Sequence, residues 1–155
     1  MKLYAISGLG ADERVFQNLS INGDLHLELV HLNWVKQNKG ETISEYAARM
    51  SKKIDTTEDY GIVGLSFGGL IAVELSKILQ PKFTILISSV EVRNELPWYF
   101  RLGGRLGVFK LAPSFLFTMP IGIAAWLFGT NNKELLSSIL KNADLSFYKW
   151  SLVQI

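Results

Sequence analysis

The segment "YGIVGLSFGGLIAVELSK", residues 60–77, constrains the fold of this chain more than any other segment. Its first six residues are apolar, β-favouring or glycine, which is typical of a buried strand. From Phe67 onward the segment has the length and composition of a helix that ends before the next proline. Gly64, Ser66 and Gly68 lie at the junction. The segment therefore predicts a strand that turns directly into a helix, with a serine at the turn.

The alternation of strand and helix also extends to either side of this segment. Strands are predicted at residues 2–7, 25–32, 60–65 and 83–89, and helices at 13–19, 43–54 and 67–79. Such alternation predicts a parallel sheet covered by helices on both faces. Beyond the fourth strand only helical patterns and turns are visible. The predicted fold class is α/β, with a doubly wound, mainly parallel sheet over residues 1–92 and a helical region over residues 93–155.

Capping signals support the predicted helices. Asp12 is a suitable N-cap for residues 13–19. Thr42, with Glu45 three residues later, forms the sequence signature of a capping box. Within the helical region, helices are expected after Pro97, around Asn131 and Glu134, and in a last segment that contains Phe147 and Trp150.

Composition excludes several classes of protein. The chain has 155 residues and no cysteine, which excludes disulfides, thiolate nucleophiles and cysteine-based metal sites. Its net charge is +2 without a basic block, which gives no support to nucleic-acid binding. The N-terminal apolar run is too short for a signal peptide. A packed, cytoplasmic domain is therefore predicted.

One apolar segment could be taken for a membrane span. Residues 111–128 contain no charged side chain and are long enough to cross a bilayer. Pro113, Pro120 and Gly122 interrupt them, and proline breaks a helix. We interpret the segment as two short apolar helices, and contact with a membrane through residues 111–128 is the alternative.

The glycines around Ser66 suit a sharp turn. Side chains at positions 64 and 68 would collide where these residues pass close to each other, and glycine has no Cβ atom. The turn directs the Ser66 hydroxyl over the carboxyl edge of the sheet, where ligands of parallel sheets collect. The helix that begins at Phe67 directs backbone N–H groups and its positive dipole end to the same place. An oxyanion would be stabilised there; the alternative is a tight turn in which Ser66 only caps the helix.

This Gly-x-Ser-x-Gly pattern, between a strand and a helix, resembles the nucleophile elbow of the α/β-hydrolases. The loop "SGLGADERVF" after the first strand is similar to the HG-x-G loops of that family, with Ser7 in place of the usual histidine. The resemblance implies that Ser66 is the nucleophile and that the N–H groups of Leu9 and Phe67 form an oxyanion hole. It also assigns five glycines to the elbow and the loop: Gly8, Gly10, Gly64, Gly68 and Gly69.

The same resemblance implies the wider features of a site. The substrate would be a small acyl molecule, an ester or a thioester, and neither a cofactor nor a metal is required. Residues 93–155 would form a helical cap, whose apolar residues 111–128 either line an acyl pocket or form ordinary helix–helix core. The pattern does not separate hydrolysis from acyl transfer, and it predicts no oligomeric state.

The base that such a serine needs is not evident. In α/β-hydrolases the acid and the histidine follow the nucleophile, whereas both histidines of this chain, His26 and His31, precede Ser66. Two strand spacings, roughly 10 Å, would separate the strands of His31 and Ser66, which is beyond hydrogen-bond reach. The two histidines are five residues apart on one strand, so they cannot share a metal. Glu91 and Asp144 are candidates for the acid, although solvated surface positions are the better interpretation of both.

We therefore expect a truncated α/β-hydrolase that lacks its acid and histidine. An apolar edge strand over residues 83–89, which would need to be covered, agrees with this expectation. The predicted function is a serine hydrolase acting on an ester or a thioester, nearly inactive in this 155-residue form. Two alternatives remain open: a non-catalytic relative that binds a small acyl ligand, and a protein that associates with a membrane through residues 111–128.

Overall fold

The structure is a computed structural model, and it describes residues 1–19, 27–95, 122, 134, 137 and 144–154. The chain divides into two compact units, Met1–Glu95 and Leu96–Ile155. Apart from single positions, the predicted helices after Pro97 and around Asn131, and the apolar residues 111–128, lie outside the described residues.

The described part of the first unit contains a parallel sheet with two α-helices and two short 3-10 helices. Its elements are β1 (Lys2–Ile6), the 3-10 helix Glu13–Phe16, β2 (Glu28–His31), α1 (Ile43–Ser51), β3 (Tyr60–Leu65), α2 (Phe67–Leu79), β4 (Phe83–Ile87) and the 3-10 helix Arg93–Glu95. The strands are all parallel, in the order β2-β1-β3-β4. This arrangement confirms the predicted fold class.

Alternate residues of each strand face opposite sides of the sheet. On one side α2 packs against β1, β3 and β4, and α1 packs against α2. Large side chains of these two helices are fully buried, among them Tyr46, Met50, Ile71 and Leu75. On the other side Phe16 covers a cluster formed by Leu3, Ala5 and Val63.

The first predicted helix is wrong in length, because only the 3-10 helix Glu13–Phe16 forms between β1 and β2. Asp12 is its N-cap as predicted, but the carboxylate accepts hydrogen bonds from both the backbone N–H and the guanidinium of Arg14. The backbone bonds that follow join residues three apart, such as Gln17 N–H to Arg14 C=O at 3.2 Å. Spacing by three is the 3-10 pattern, which does not extend far.

The capping box before α1 forms as predicted. The Glu45 N–H donates to the Thr42 hydroxyl at 3.3 Å, and the Thr42 N–H donates to the Glu45 carboxylate at 2.8 Å. The bounds of β3 and α2 also agree with the predicted segments. Gln80 ends α2 in the left-handed conformation, immediately before Pro81.

In the second unit, α3 (Leu145–Gln154) confirms the predicted last helix. Phe147, Tyr148 and Ser151 are buried, and the Ser151 hydroxyl donates to the Phe147 carbonyl at 2.7 Å. Among the helices that the structure describes, none is both long and apolar enough to cross a bilayer.

Candidate active site

Ser66 lies at the apex between β3 and α2, and its side chain is exposed. Its backbone angles are φ 52° and ψ −121°. A positive φ at a residue with a Cβ atom is sterically costly, and such strain persists only where the surrounding structure enforces it. Contacts between Ser66 and the surrounding backbone must therefore enforce this conformation.

Ser66 does not act as an ordinary helix cap. Its side chain makes no capping hydrogen bond to the first turn of α2, all of which lies among the described residues. The backbone supplies the local bonds instead, because the Gly69 N–H donates to the Ser66 carbonyl at 2.9 Å. This observation counts against the alternative in which Ser66 only caps the helix.

Two glycines allow the backbone to close around Ser66. A Cβ atom added to Gly64 would lie 2.4 Å from the carbonyl oxygen of Gly68. A Cβ atom added to Gly68 would lie 2.3 Å from the carbonyl oxygen of Ser7 and 2.4 Å from that of Ile6. A Cβ atom at position 64 would therefore collide with the backbone of Gly68, as expected, whereas a Cβ atom at position 68 would not collide with Gly64 first. Gly68 is required for a different reason, because it brings α2 against the end of β1.

The loop after β1 lies directly beside the elbow. A Cβ atom added to Gly8 would be 3.5 Å from the Ser66 Cβ. The loop is held by the Ser7 hydroxyl, which donates to the Ala11 carbonyl at 2.7 Å, and by the Ala11 N–H, which donates to the Gly8 carbonyl at 3.0 Å. Gly10 has φ 71°, a conformation that glycine adopts without strain. The Ser7 side chain therefore stabilises this loop.

The two residues predicted to form an oxyanion hole belong to two segments that border Ser66, the loop after β1 and the start of α2. Phe67 is the first residue of α2, where backbone N–H groups and the positive end of the helix dipole point towards the turn. Leu9 follows Gly8, where an added Cβ atom would lie 3.5 Å from the Ser66 Cβ. The assignment of their N–H groups to an oxyanion hole stays a prediction.

The end of β4 borders the site as well, which the sequence did not indicate. The Ser66 N–H donates to the Ile87 carbonyl at 2.9 Å. Ser88, the next residue, has φ 48° and is exposed. The Ser89 hydroxyl is buried without a hydrogen-bond partner, and a Cβ atom added to Gly69 would lie 2.2 Å from it. Two neighbouring strands thus carry strained serines at the same edge of the sheet.

Trp34, in the loop between β2 and α1, was also missed by the sequence analysis. Its ring lies 5.9 Å from the Phe67 ring and 6.3 Å from the Tyr46 ring, measured between centroids. Tyr46 is fully buried, and burial raises the pKa of its hydroxyl to about 12. The available signal was the position of Trp34 just beyond the carboxyl end of a parallel strand, which is where sites of such sheets form.

His31 lies on a strand that is not adjacent to the strand of Ser66. His31 pairs with Ala5 of β1, which pairs on its other side with Val63 of β3, so β1 separates His31 from the strand of Ser66. The His31 ring packs 5.8 Å from the Phe16 ring, and its Nδ1 atom is buried without a partner. His26 lies outside the described residues.

Both carboxylate candidates take part in local hydrogen bonding. Glu91 is exposed, and its N–H donates to the Glu95 carboxylate at 2.9 Å. Asp144, in the second unit, accepts hydrogen bonds from the N–H and the hydroxyl of Ser146, each at 2.8 Å, at the start of α3. Within residues 1–19, 27–95 and 144–154, no cluster of acidic or histidine side chains could hold a metal ion.

No protein-family model and no curated protein matches this chain. Two solved structures with an α/β-hydrolase fold are similar to it. MenH from S. aureus matches 99% of this chain over 65% of its own, with 15% sequence identity and a TM-score of 0.67. The match to ClbQ from the colibactin NRPS/PKS pathway covers 99% of this chain and 66% of the ClbQ chain, with 20% sequence identity and a TM-score of 0.57. The chain therefore has an α/β-hydrolase-like fold and spans slightly less than two thirds of each of these proteins.

Proposed function

We propose that this chain carries the nucleophile of a serine hydrolase that acts on small acyl esters or thioesters. The observation that supports this most directly is the backbone of Ser66, which has φ 52° at the apex of a strand-turn-helix unit and carries an exposed side chain. Strained backbone at the carboxyl edge of a parallel sheet is common at catalytic residues. The likeness to two α/β-hydrolase structures supports the same class of chemistry.

In the proposed reaction the Ser66 Oγ attacks the carbonyl carbon, and its proton passes to a general base. The N–H groups of Leu9 and Phe67 donate to the oxyanion of the tetrahedral intermediate, and the N-terminal dipole of α2 stabilises the same charge. The bond to the alcohol or thiol then breaks, and the leaving group takes the proton. Water repeats the sequence on the acyl-enzyme and releases the acid.

The general base is proposed to come from outside the described part of these 155 residues. A neighbouring strand separates His31 from the strand that carries Ser66, and the sequence contains no histidine after Ser66. An oxyanion hole without its base retains only a small part of the catalysis. These 155 residues alone should therefore form and release an acyl-enzyme slowly.

Imidazole in solution can substitute for the absent base, and this provides the test. The purified chain is incubated with p-nitrophenyl acetate, with and without imidazole, and intact mass and peptide mapping locate the acetyl group. We expect imidazole-dependent acetylation of Ser66 and none at this position in Ser66→Ala. Equal acetylation of wild type and Ser66→Ala, or an adduct only on other residues, would overturn the proposal.

A second function, binding of a small acyl ligand without turnover, is favoured by one observation. Both histidines of the sequence precede Ser66, so the family's usual order of serine, acid and histidine is not met within these residues. In that case the chain would bind an acyl compound reversibly, as measured by calorimetry, and Ser66 would stay unmodified at any imidazole concentration.

A further inference from the structure

The loop between β2 and α1 is held in place by two side chains of α1, Tyr46 and Arg49, and by Glu41 just before the helix. The hydroxyl of Tyr46 accepts a hydrogen bond from the Val35 N–H at 3.0 Å and donates to the Val35 carbonyl at 2.8 Å. Tyr46 is fully buried, so this pair of bonds is shielded from water. Both backbone groups of Val35 are therefore fixed to α1.

An ion pair holds the rest of the same loop. The Arg49 guanidinium donates to both Glu41 carboxylate oxygens, at 2.6 and 2.9 Å, and to the Lys36 carbonyl at 2.9 Å. The Asn38 N–H donates to the Glu41 carboxylate at 2.8 Å. The Glu41 side chain is only 5% exposed, and a buried bidentate pair of this kind has a defined geometry. The loop that carries Trp34 is thus rigidly attached to α1.

This rigid loop presents Trp34 to the first residue of α2. The Trp34 ring is in tilted contact with the rings of both Tyr46 and Phe67, with interplanar angles of 43° and 36°. Phe67 is 3% exposed, and its backbone continues directly from Ser66. A shift of the Phe67 backbone after loss of this packing would therefore also change the direction of the Phe67 N–H and the backbone angles of Ser66.

We propose that Trp34 is a positioning residue for the nucleophile: in contact with both Tyr46 and Phe67, it holds the first turn of α2, and with it Ser66, in the strained conformation. The consequence for acylation rests on the function proposed above. Backbone strain is maintained only where neighbouring contacts enforce it, and a displacement of about 1 Å in a catalytic group can lower the reaction rate about 100-fold. Trp34 is the side chain that joins the rigid β2–α1 loop to the turn.

The first measurement tests the geometry without any chemistry. Hydrogen exchange is followed by NMR at the Ser66 and Gly69 amides, which donate to Ile87 and Ser66. In Trp34→Ala these amides should exchange about tenfold faster than in the wild type, because local opening of the turn becomes easier. The amides of β1 should be unchanged. Unchanged exchange at Ser66 and Gly69 would overturn the proposal.

The second measurement tests the consequence for the reaction. Imidazole-dependent acetylation of Ser66 by p-nitrophenyl acetate should fall about tenfold in Trp34→Ala at saturating ester, with little change in the half-saturating concentration. Trp34→Phe keeps an aromatic ring and should restore most of the rate. Equal rates in Trp34→Ala and wild type would also overturn the proposal.

Two further variants keep the test decisive. Tyr46→Phe retains the ring but loses both hydrogen bonds to Val35, so it should show smaller changes of the same kind in amide exchange and in Ser66 acetylation. This variant provides the test if Trp34→Ala fails to fold. Tyr60→Phe loses a buried bond of another kind, from its hydroxyl to the Leu79 carbonyl at 2.6 Å, and should change neither measurement. If the amides exchange faster in Trp34→Ala but neither the wild type nor any variant is acetylated at Ser66, the positioning role of Trp34 is supported and the proposed function is refuted.

Discussion

At the amino end of the sheet the side chains satisfy one another, whereas at the carboxyl end the backbone is strained and a buried hydroxyl has no partner. Lys2 forms an ion pair with Asp55 at 2.7 Å, and the Asp55 N–H donates to the Tyr4 hydroxyl at 2.9 Å. Ser66 and Ser88, at the other end, both have positive φ. Of the residues that the structure describes, only Gln80 is a further non-glycine residue with positive φ, and it ends a helix.

The difference separates two tasks within one sheet. Contacts at the amino end can be explained by stability alone, since each polar group gains a partner. The strain near Ser66 cannot be explained in this way, because it lowers stability and is enforced by close backbone packing. Natural proteins tolerate such conflicts mainly at functional sites. The carboxyl end is therefore where the site should be sought, independently of any resemblance.

The largest expected change in the free energy of unfolding comes from replacing glycines at the two ends of β3, Gly64 and Gly61. In Gly64→Ala the new Cβ would meet the backbone oxygen of Gly68, which cannot move without opening the turn, so unfolding free energy should fall by roughly 3 kcal/mol or more. In Gly61→Ala the new Cβ would meet only the outer ring atoms of Phe83, at 2.5 Å. That ring can shift, so the loss should be about 1 kcal/mol. Urea unfolding measures both, and equal losses would contradict the contrast between the two ends.

A smaller effect compares two ion pairs. Glu41→Gln weakens charge-assisted bonds to Arg49 in a buried setting, and should cost about 2 kcal/mol at pH 7. Asp55→Asn removes the more exposed ion pair with Lys2, so it should lower the free energy of unfolding by less. Salt at about 0.5 M should abolish most of this loss, because it screens exposed charges. The loss in Glu41→Gln should persist in salt. Comparable salt sensitivity of the two variants would show that the Glu41 pair is not shielded.

The same pair predicts a dependence on pH. The hydrogen bond from Arg49 lowers the pKa of Glu41 below its ordinary value of 4.5, although burial opposes this. A carboxylate whose pKa is lowered by folding stabilises the protein above its unfolded pKa, and this contribution is lost as pH falls through the folded value. The stability difference between wild type and Glu41→Gln should therefore shrink below about pH 4.5. If this stability difference grows as the pH falls, the pKa of Glu41 is not lowered by folding.

The smallest effect concerns Ser66 itself. Ser66→Gly should raise the unfolding free energy by about 1 kcal/mol, because glycine relieves the strain of φ 52° but loses more entropy on folding. Ser66→Ala keeps a Cβ atom and should gain nothing. Both variants should lose the acetylation site. If thermal unfolding shows equal stability in the two, the strain at Ser66 is negligible and the contrast between the two ends weakens.

Short-range features were predictable from the sequence. The capping box of Thr42 and Glu45 and the change from strand to helix around Ser66 depend on residues a few positions apart. The parallel direction of the strands followed from the alternation of strands and helices. The helix predicted over residues 13–19 was wrong because Asp12 bonds to Arg14 and the following turns are of the 3-10 type. That choice between two hydrogen-bond spacings is not visible in the apolar pattern.

The sequence by itself determined that a serine stands at a glycine-lined turn between a strand and a helix, because backbone strain and helix capping are local. Only the tertiary structure decided which groups surround that turn. Gly68 meets the carbonyls of Ile6 and Ser7, and Phe67 meets Trp34, from segments distant in the chain. These contacts arise because parallel strands bring their carboxyl ends to one edge, where loops that are remote in sequence become neighbours.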